Sequence, residues 1–64
     1  MWIKNSRGYY INLKMAWRIM PWDTGSKWYI SAEFANCDTQ YFSPSKNEKE
    51  SQRKIKLIMK ELNT

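Results

Sequence analysis

The sequence predicts an α+β fold, an antiparallel meander of three to four strands packed against one C-terminal helix. Three observations predict it. Apolar and polar residues alternate along residues 9–20 and again along 27–35, the period of a strand with one buried face. Turn-forming residues separate these runs. After Pro44 the composition changes: the aromatics stop, and Lys46, Lys49, Arg53, Lys54, Lys56 and Lys60 surround an apolar stripe at helical spacing.

Taken in order, MWIK opens the chain as a short strand, with Trp2 expected at its edge. Asn5-Ser6-Arg7-Gly8 supplies a tight turn. The long run from Tyr9 divides by parity. Tyr9, Ile11, Leu13, Met15, Trp17 and Ile19 are expected on the core face; Tyr10, Asn12, Lys14, Ala16 and Arg18 are expected on the wet face. Twelve residues exceed the usual strand length, so a bend or break is expected near Lys14–Ala16. A helical turn there is the alternative, because Leu13, Ala16, Trp17 and Met20 also fit helical spacing. Residues 21–26 form the next connection. Trp28, Ile30, Ala32 and Phe34 then share a buried face, and Asn36-Cys37-Asp38 turns the chain. Residues 39–43 form a last short strand, with Tyr41 and Phe42 pointing opposite ways. Pro44 is expected to end it. Ser45, with Glu48 three residues on, predicts a capping box and a helix over 45–62. Ile55, Ile58, Met59 and Leu62 form its apolar stripe. The whole is one domain, with a β-meander over 1–43.

The chain has 64 residues, 42% of them hydrophobic and 16% aromatic. That is enough to fold, but a single core of this size is marginal without help from disulfides, metals or self-association. With Cys37 as the lone cysteine and no histidine, an internal disulfide and the usual zinc and haem sites are excluded. The expectation is therefore no metal and no cofactor. MWIKNSRG has no apolar h-region, and no run nears the roughly 20 apolar residues of a membrane helix. A cytoplasmic protein without membrane contact, its cysteine reduced, is expected.

No enzyme is expected and no catalytic residue is assigned. There is no histidine base, no Gly-rich phosphate loop and no metal set. Asp23, Glu33, Asp38, Glu48, Glu50 and Glu61 are scattered over turns, a wet strand face and the helix. Asp38 beside Cys37 disfavours the thiolate.

Two surfaces stand out instead. Tyr10, Lys14, Arg18, Trp22 and Tyr29 make a candidate interaction surface, with Asn12, Lys27 and Ser31 alongside. Tyrosines among cations suit a plain wet sheet face, a protein interface or base stacking. On the helix, Lys46, Lys49, Arg53, Lys56 and Lys60 fall within a sector of about 80° at 100° per residue, opposite the apolar stripe. Such a row is the ordinary solvated side of a helix, or a track for phosphates or an acidic groove. The net charge of +5 favours acidic partners.

Trp2-Ile3-Lys4, then Gly8, then Tyr10-Ile11-Asn12-Leu13, followed by an aromatic-rich strand and a terminal helix, carry a resemblance. The chain resembles a group of very short bacterial and phage-encoded proteins that open with W-I-K-x-x-x-G and I-N-L. The resemblance implies the meander-plus-helix fold and no activity. A basic stretch stands here where the group has acidic residues around the last helix. The order of four strands and a helix is also similar to that of a single-stranded-DNA-binding coactivator fold, a likeness of topology alone. The expected function is a small self-associating protein-interaction module, its expected partner a second copy or another protein. The alternatives are a nucleic-acid-binding protein and a phage or mobile-element accessory (anti-defence) protein.

Overall fold

A computed structural model of the chain describes residues 1–36 and 38–63; the expectations for Cys37 lie outside them. Strand β1 (Trp2–Lys4) and strand β2 (Tyr10–Asn12) form a two-stranded antiparallel hairpin. A 3₁₀ turn, Leu13–Met15, follows at once. Strands β3 (Ala16–Asp23), β4 (Trp28–Phe34) and β5 (Thr39–Ser45) form an antiparallel sheet in the order β3-β4-β5. Helix α1 (Glu48–Leu62) closes the chain. The α+β class and the single C-terminal helix are as the sequence predicts.

The core lies between the three-stranded sheet and a layer made of α1 and the hairpin. Leu13, Ile30, Ala32 and Phe42 are fully buried, and Ile3, Ile11, Ile19, Phe34, Ile55, Ile58 and Leu62 pack against them. Ile30 and Ala32 sit at alternate positions of β4, so one face of the central strand supplies half the buried set. Phe42 points inward beside them, and Tyr41 points out. Trp28, on the same side as Ile30, is half-buried at the strand's end.

The long alternating segment does not remain one strand. Asn12 caps the 3₁₀ turn through its side chain, which accepts from Lys14 N. The turn seats Leu13 in the core and puts Lys14 and Met15 in solvent. A register shift then falls between Ala16 and Arg18, which oppose Phe34 and Glu33, so Trp17 is the extra residue of a β-bulge. The bulge changes the phase of the strand. Ala16, expected on the wet face, packs on the core, and Trp17, expected in the core, is 65% exposed. Tyr9 and Met15 are corrected with it, both about as exposed as Trp17. Trp2 is likewise exposed on the hairpin.

The C-terminal half carries two further corrections. Strand β5 does not stop at Pro44 but runs through it to Ser45. The sheet tolerates Pro44 because β5 is an edge strand and is bulged there: Trp28 opposes Ser45 while Ile30 opposes Phe42, and Ser43 has φ 53°. The helix starts at Glu48, with Asn47 rather than Ser45 as N-cap. The Asn47 side chain accepts from Glu50 N, and the Glu50 carboxylate accepts from Lys46 N. Ile55, Ile58 and Leu62 face the core as expected. Met59 is exposed, and Ser51, one turn before Ile55, is fully buried in its place.

Buried polar groups fix the hairpin. Asn5 is 7% exposed, and its Oδ1 accepts from Arg7 N and Tyr9 N at 3.0 and 2.8 Å. Gly8, with φ +91°, completes the loop, a conformation that favours glycine. Ser6 N donates to Tyr41 O at 2.7 Å and docks the loop on the edge of β5. Ser51 is the opposite case, for its Oγ is buried without a hydrogen-bond partner.

These two residues give opposite predictions in chemical denaturation. Asn5→Ala removes the acceptor of the Arg7 and Tyr9 backbone N–H groups and the bond to Gln40, and should cost about 2 kcal/mol. Ser51→Ala removes an unsatisfied hydroxyl and improves helix propensity, so it should stabilise by about 1 kcal/mol. A destabilised Ser51→Ala variant would contradict the assigned environment.

Candidate functional site

The face of the three-stranded sheet turned away from α1 carries the exposed aromatic surface. Strand alternation sends Arg18, Met20 and Trp22 to this face from β3, and the bulge adds Trp17. Directly opposite on β4 stand Glu33, Ser31 and Tyr29, in the pairs Arg18–Glu33, Met20–Ser31 and Trp22–Tyr29. Tyr41 joins from β5, opposite Ser31. Cross-strand neighbours on one face interact directly, so the face is one continuous patch.

Its middle is built around a small residue. Ser31 is buried although it points to the outer side, and its Oγ donates to Met20 O at 3.2 Å. Trp22 and Tyr41, on the two strands flanking it, tilt over this gap with ring centroids 6.1 Å apart and planes at 38°. That is a normal offset aromatic geometry. At one end, Arg18 Nη2 pairs with Glu33 Oε2 at 3.0 Å. The pair is largely exposed and adds little stability. Its effect is to cancel charge, leaving an aromatic patch with no net charge on a chain of +5.

Of the five residues expected to form one surface, the structure brings together Arg18, Trp22 and Tyr29. Tyr10 stands on the β1–β2 hairpin, and Lys14 lies exposed in the 3₁₀ turn between the sheets. Asn12 caps that turn, and Lys27 sits in the β3–β4 turn, where its carbonyl accepts from Thr24 N and Oγ1. The break at Leu13 separates Tyr10, Asn12 and Lys14 from the sheet face, and Lys27 lies in the turn at its end. Sequence reasoning missed Trp17, Met20 and Tyr41 as members. Tyr41 was legible from parity, since it opposes Phe42. Trp17 was not, because one inserted residue reverses its side.

Of the second expected surface, α1 carries four residues, and Lys46 falls outside the helix because Asn47 is its cap. Lys49, Arg53, Lys56 and Lys60 lie exposed along α1, and Lys46 is exposed just before it. Leu57 projects among them, 63% exposed. Lys54 belongs to a different side: it donates to Pro44 O and pairs with Glu50. No group of three His, Cys, Asp or Glu able to hold a metal occurs among the described residues, and none of their helices is long and apolar enough to cross a membrane.

Trp17→Ser should cost less than about 1 kcal/mol, whereas Leu13→Ala, four residues earlier, should cost about 2–5 kcal/mol. Thermal melts of the two variants check this. A Trp17→Ser loss equal to that of Leu13→Ala would return Trp17 to the core.

Against family models, curated proteins and solved structures, the chain gives no match.

Proposed function

We propose that the protein is a non-enzymatic interaction module that pairs with a second copy of itself through the outer face of its three-stranded sheet. The observation that carries this is the exposure of Trp17, Met20 and Trp22, side by side with Tyr29 and Tyr41, on a face that α1 leaves open. Contiguous exposed apolar patches of this kind mark interaction sites.

Three further features favour a second copy. The face is neutral, so two copies of a +5 chain can meet there without stacking like charges. Arg18 and Glu33 are adjacent, so a two-fold axis can place each beside the other's partner in the second copy, the self-complementarity an isologous interface needs. The sheet edges are poorly suited to the alternative of strand-to-strand pairing. Strand β3 carries Pro21 and the Trp17 bulge, while β5 carries Pro44, its own bulge and the docked Asn5–Tyr9 loop. A face-to-face dimer also covers apolar surface that a core of four fully buried hydrophobic residues leaves exposed.

Size limits the strength. Three strands about 4.8 Å apart, each rising about 3.3 Å per residue over seven residues, make a face of roughly 14 by 23 Å, well below the area of a standard stable interface. A reversible dimer is expected rather than an obligate one. Light scattering should give a mass rising toward two chains between about 10 μM and 1 mM, and Trp22→Glu should hold the chain at one. A strict monomer across that range contradicts the proposal.

A second reading rests on α1. The exposed row Lys49, Arg53, Lys56 and Lys60 supports electrostatic binding to nucleic acid, on the side away from the aromatic face. A labelled single strand should then bind at low salt and be released as salt rises. Reversing Lys49 and Arg53 to Glu should abolish that binding, and retained binding contradicts it.

A further inference from the structure

An open concavity of about 450 Å³ lies where the β1–β2 hairpin meets the β4–β5 turn, away from the aromatic sheet face, with Trp2, Tyr10 and Met15 on its wall largely exposed. That volume falls in the range of small-ligand sites. Trp2, Tyr10 and Phe34 contribute aromatic rings to its wall, and Met15 a thioether. Asn12, Asn36 and Gln40 contribute amides, and Asp38 is the one charged residue that lines it.

The hairpin register explains the paired rings. Trp2 opposes Asn12 and Lys4 opposes Tyr10, so Trp2 and Tyr10 are diagonal neighbours on one side of the hairpin. Diagonal positions stand about 7–8 Å apart, so the two aromatic side chains share one region of the wall. Lys4 faces the same side but runs the other way, its Cε 3.8 Å from where a Gly8 Cβ would stand. Asp38 is held in place by a relay of side chains. Buried Asn5 Nδ2 donates to Gln40 Oε1, and Gln40 Nε2 donates to Asp38 Oδ2. The wall thus combines three aromatic residues with a hydrogen-bonded carboxylate. None of the chain's 11 lysines and arginines lines it.

We propose that this cavity binds an alkylated ammonium group. Ring faces attract a cation through their quadrupole, Trp most strongly, and methylated ammonium adapts to them because it is weakly hydrated and apolar outside. Asp38 supplies the counter-charge. The group has two possible sources, a free quaternary amine or the methylated lysine of a peptide, and both present the same chemistry.

The test uses the full-length, isotope-labelled protein and follows the Trp2 indole N–H by NMR. The probes, titrated at constant ionic strength, are choline, a trimethyllysine peptide and the uncharged isostere 3,3-dimethylbutan-1-ol. Either cation should shift Trp2 saturably, with the isostere about tenfold weaker or worse. Tighter binding of the peptide assigns a protein source, and tighter binding of choline a free amine. Asp38→Asn should weaken binding severalfold. Tyr10→Ala, at an exposed position, should weaken it without unfolding the chain, and Met59→Ala on α1 should leave it unchanged. Equal binding of choline and its isostere overturns the proposal, as does an unshifted Trp2 at about 50 mM of either cation.

Discussion

The seating of Leu13 in a 3₁₀ turn governs the rest of the molecule. Leu13 is 1% exposed, and the turn around it ends one sheet and begins another. Burying that one side chain is worth about 2 kcal/mol, a large fraction of what a core this small can supply. To reach its place the chain must leave the strand conformation for three residues, and it re-enters β3 through the bulge at Trp17. The hairpin meets the core through Ile3 and Ile11. Trp17 and Trp22, which follow Leu13 on β3, emerge exposed on the open face of the sheet.

A second constraint is polar. Asn5, Gln40 and Asp38 form a hydrogen-bonded chain across elements far apart in sequence, and the same Asn5 holds the loop that docks on β5. Buried amides of this kind are costly unless satisfied and specify geometry when they are. Here the relay ties the loop after β1 to β5 and holds Asp38, one of the residues that line the concavity. The two candidate surfaces therefore have different physical origins. The sheet face follows from strand alternation and a bulge, and the cavity from a polar relay that clamps the hairpin.

Much of the fold was legible because period and composition speak to it directly. The alternation at Trp28–Phe34 placed Ile30 and Ala32 in the core, and Phe42 opposite Tyr41 placed each correctly. The change after Pro44 marked the helix. What the sequence hid was phase. A break was foreseen near Lys14–Ala16, but nothing local states that a bulge follows it, and a single extra residue moved Trp17 from core to surface. The helix cap moved from Ser45 to Asn47 because β5 passes through Pro44, which an edge strand with a bulge permits. Of the candidate surface, Arg18, Trp22 and Tyr29 survived together because they lie beyond the bulge on β3 and its neighbour. Tyr10 and Lys14 lie before it, and the turn carries them elsewhere. The cavity was invisible in sequence, since its walls come from both ends of the β region.

The central claim is that the break and bulge turn a neutral aromatic face outward for a second copy to cover. Hydroxyl-radical footprinting over a dilution series tests it at residue level. The account predicts that Trp17, Met20 and Trp22 react readily in dilute protein and become protected together as concentration rises, while Trp2 and Met59 stay reactive throughout. A Trp17 that is unreactive even at high dilution would contradict the bulge, and protection that never changes with concentration would contradict the pairing.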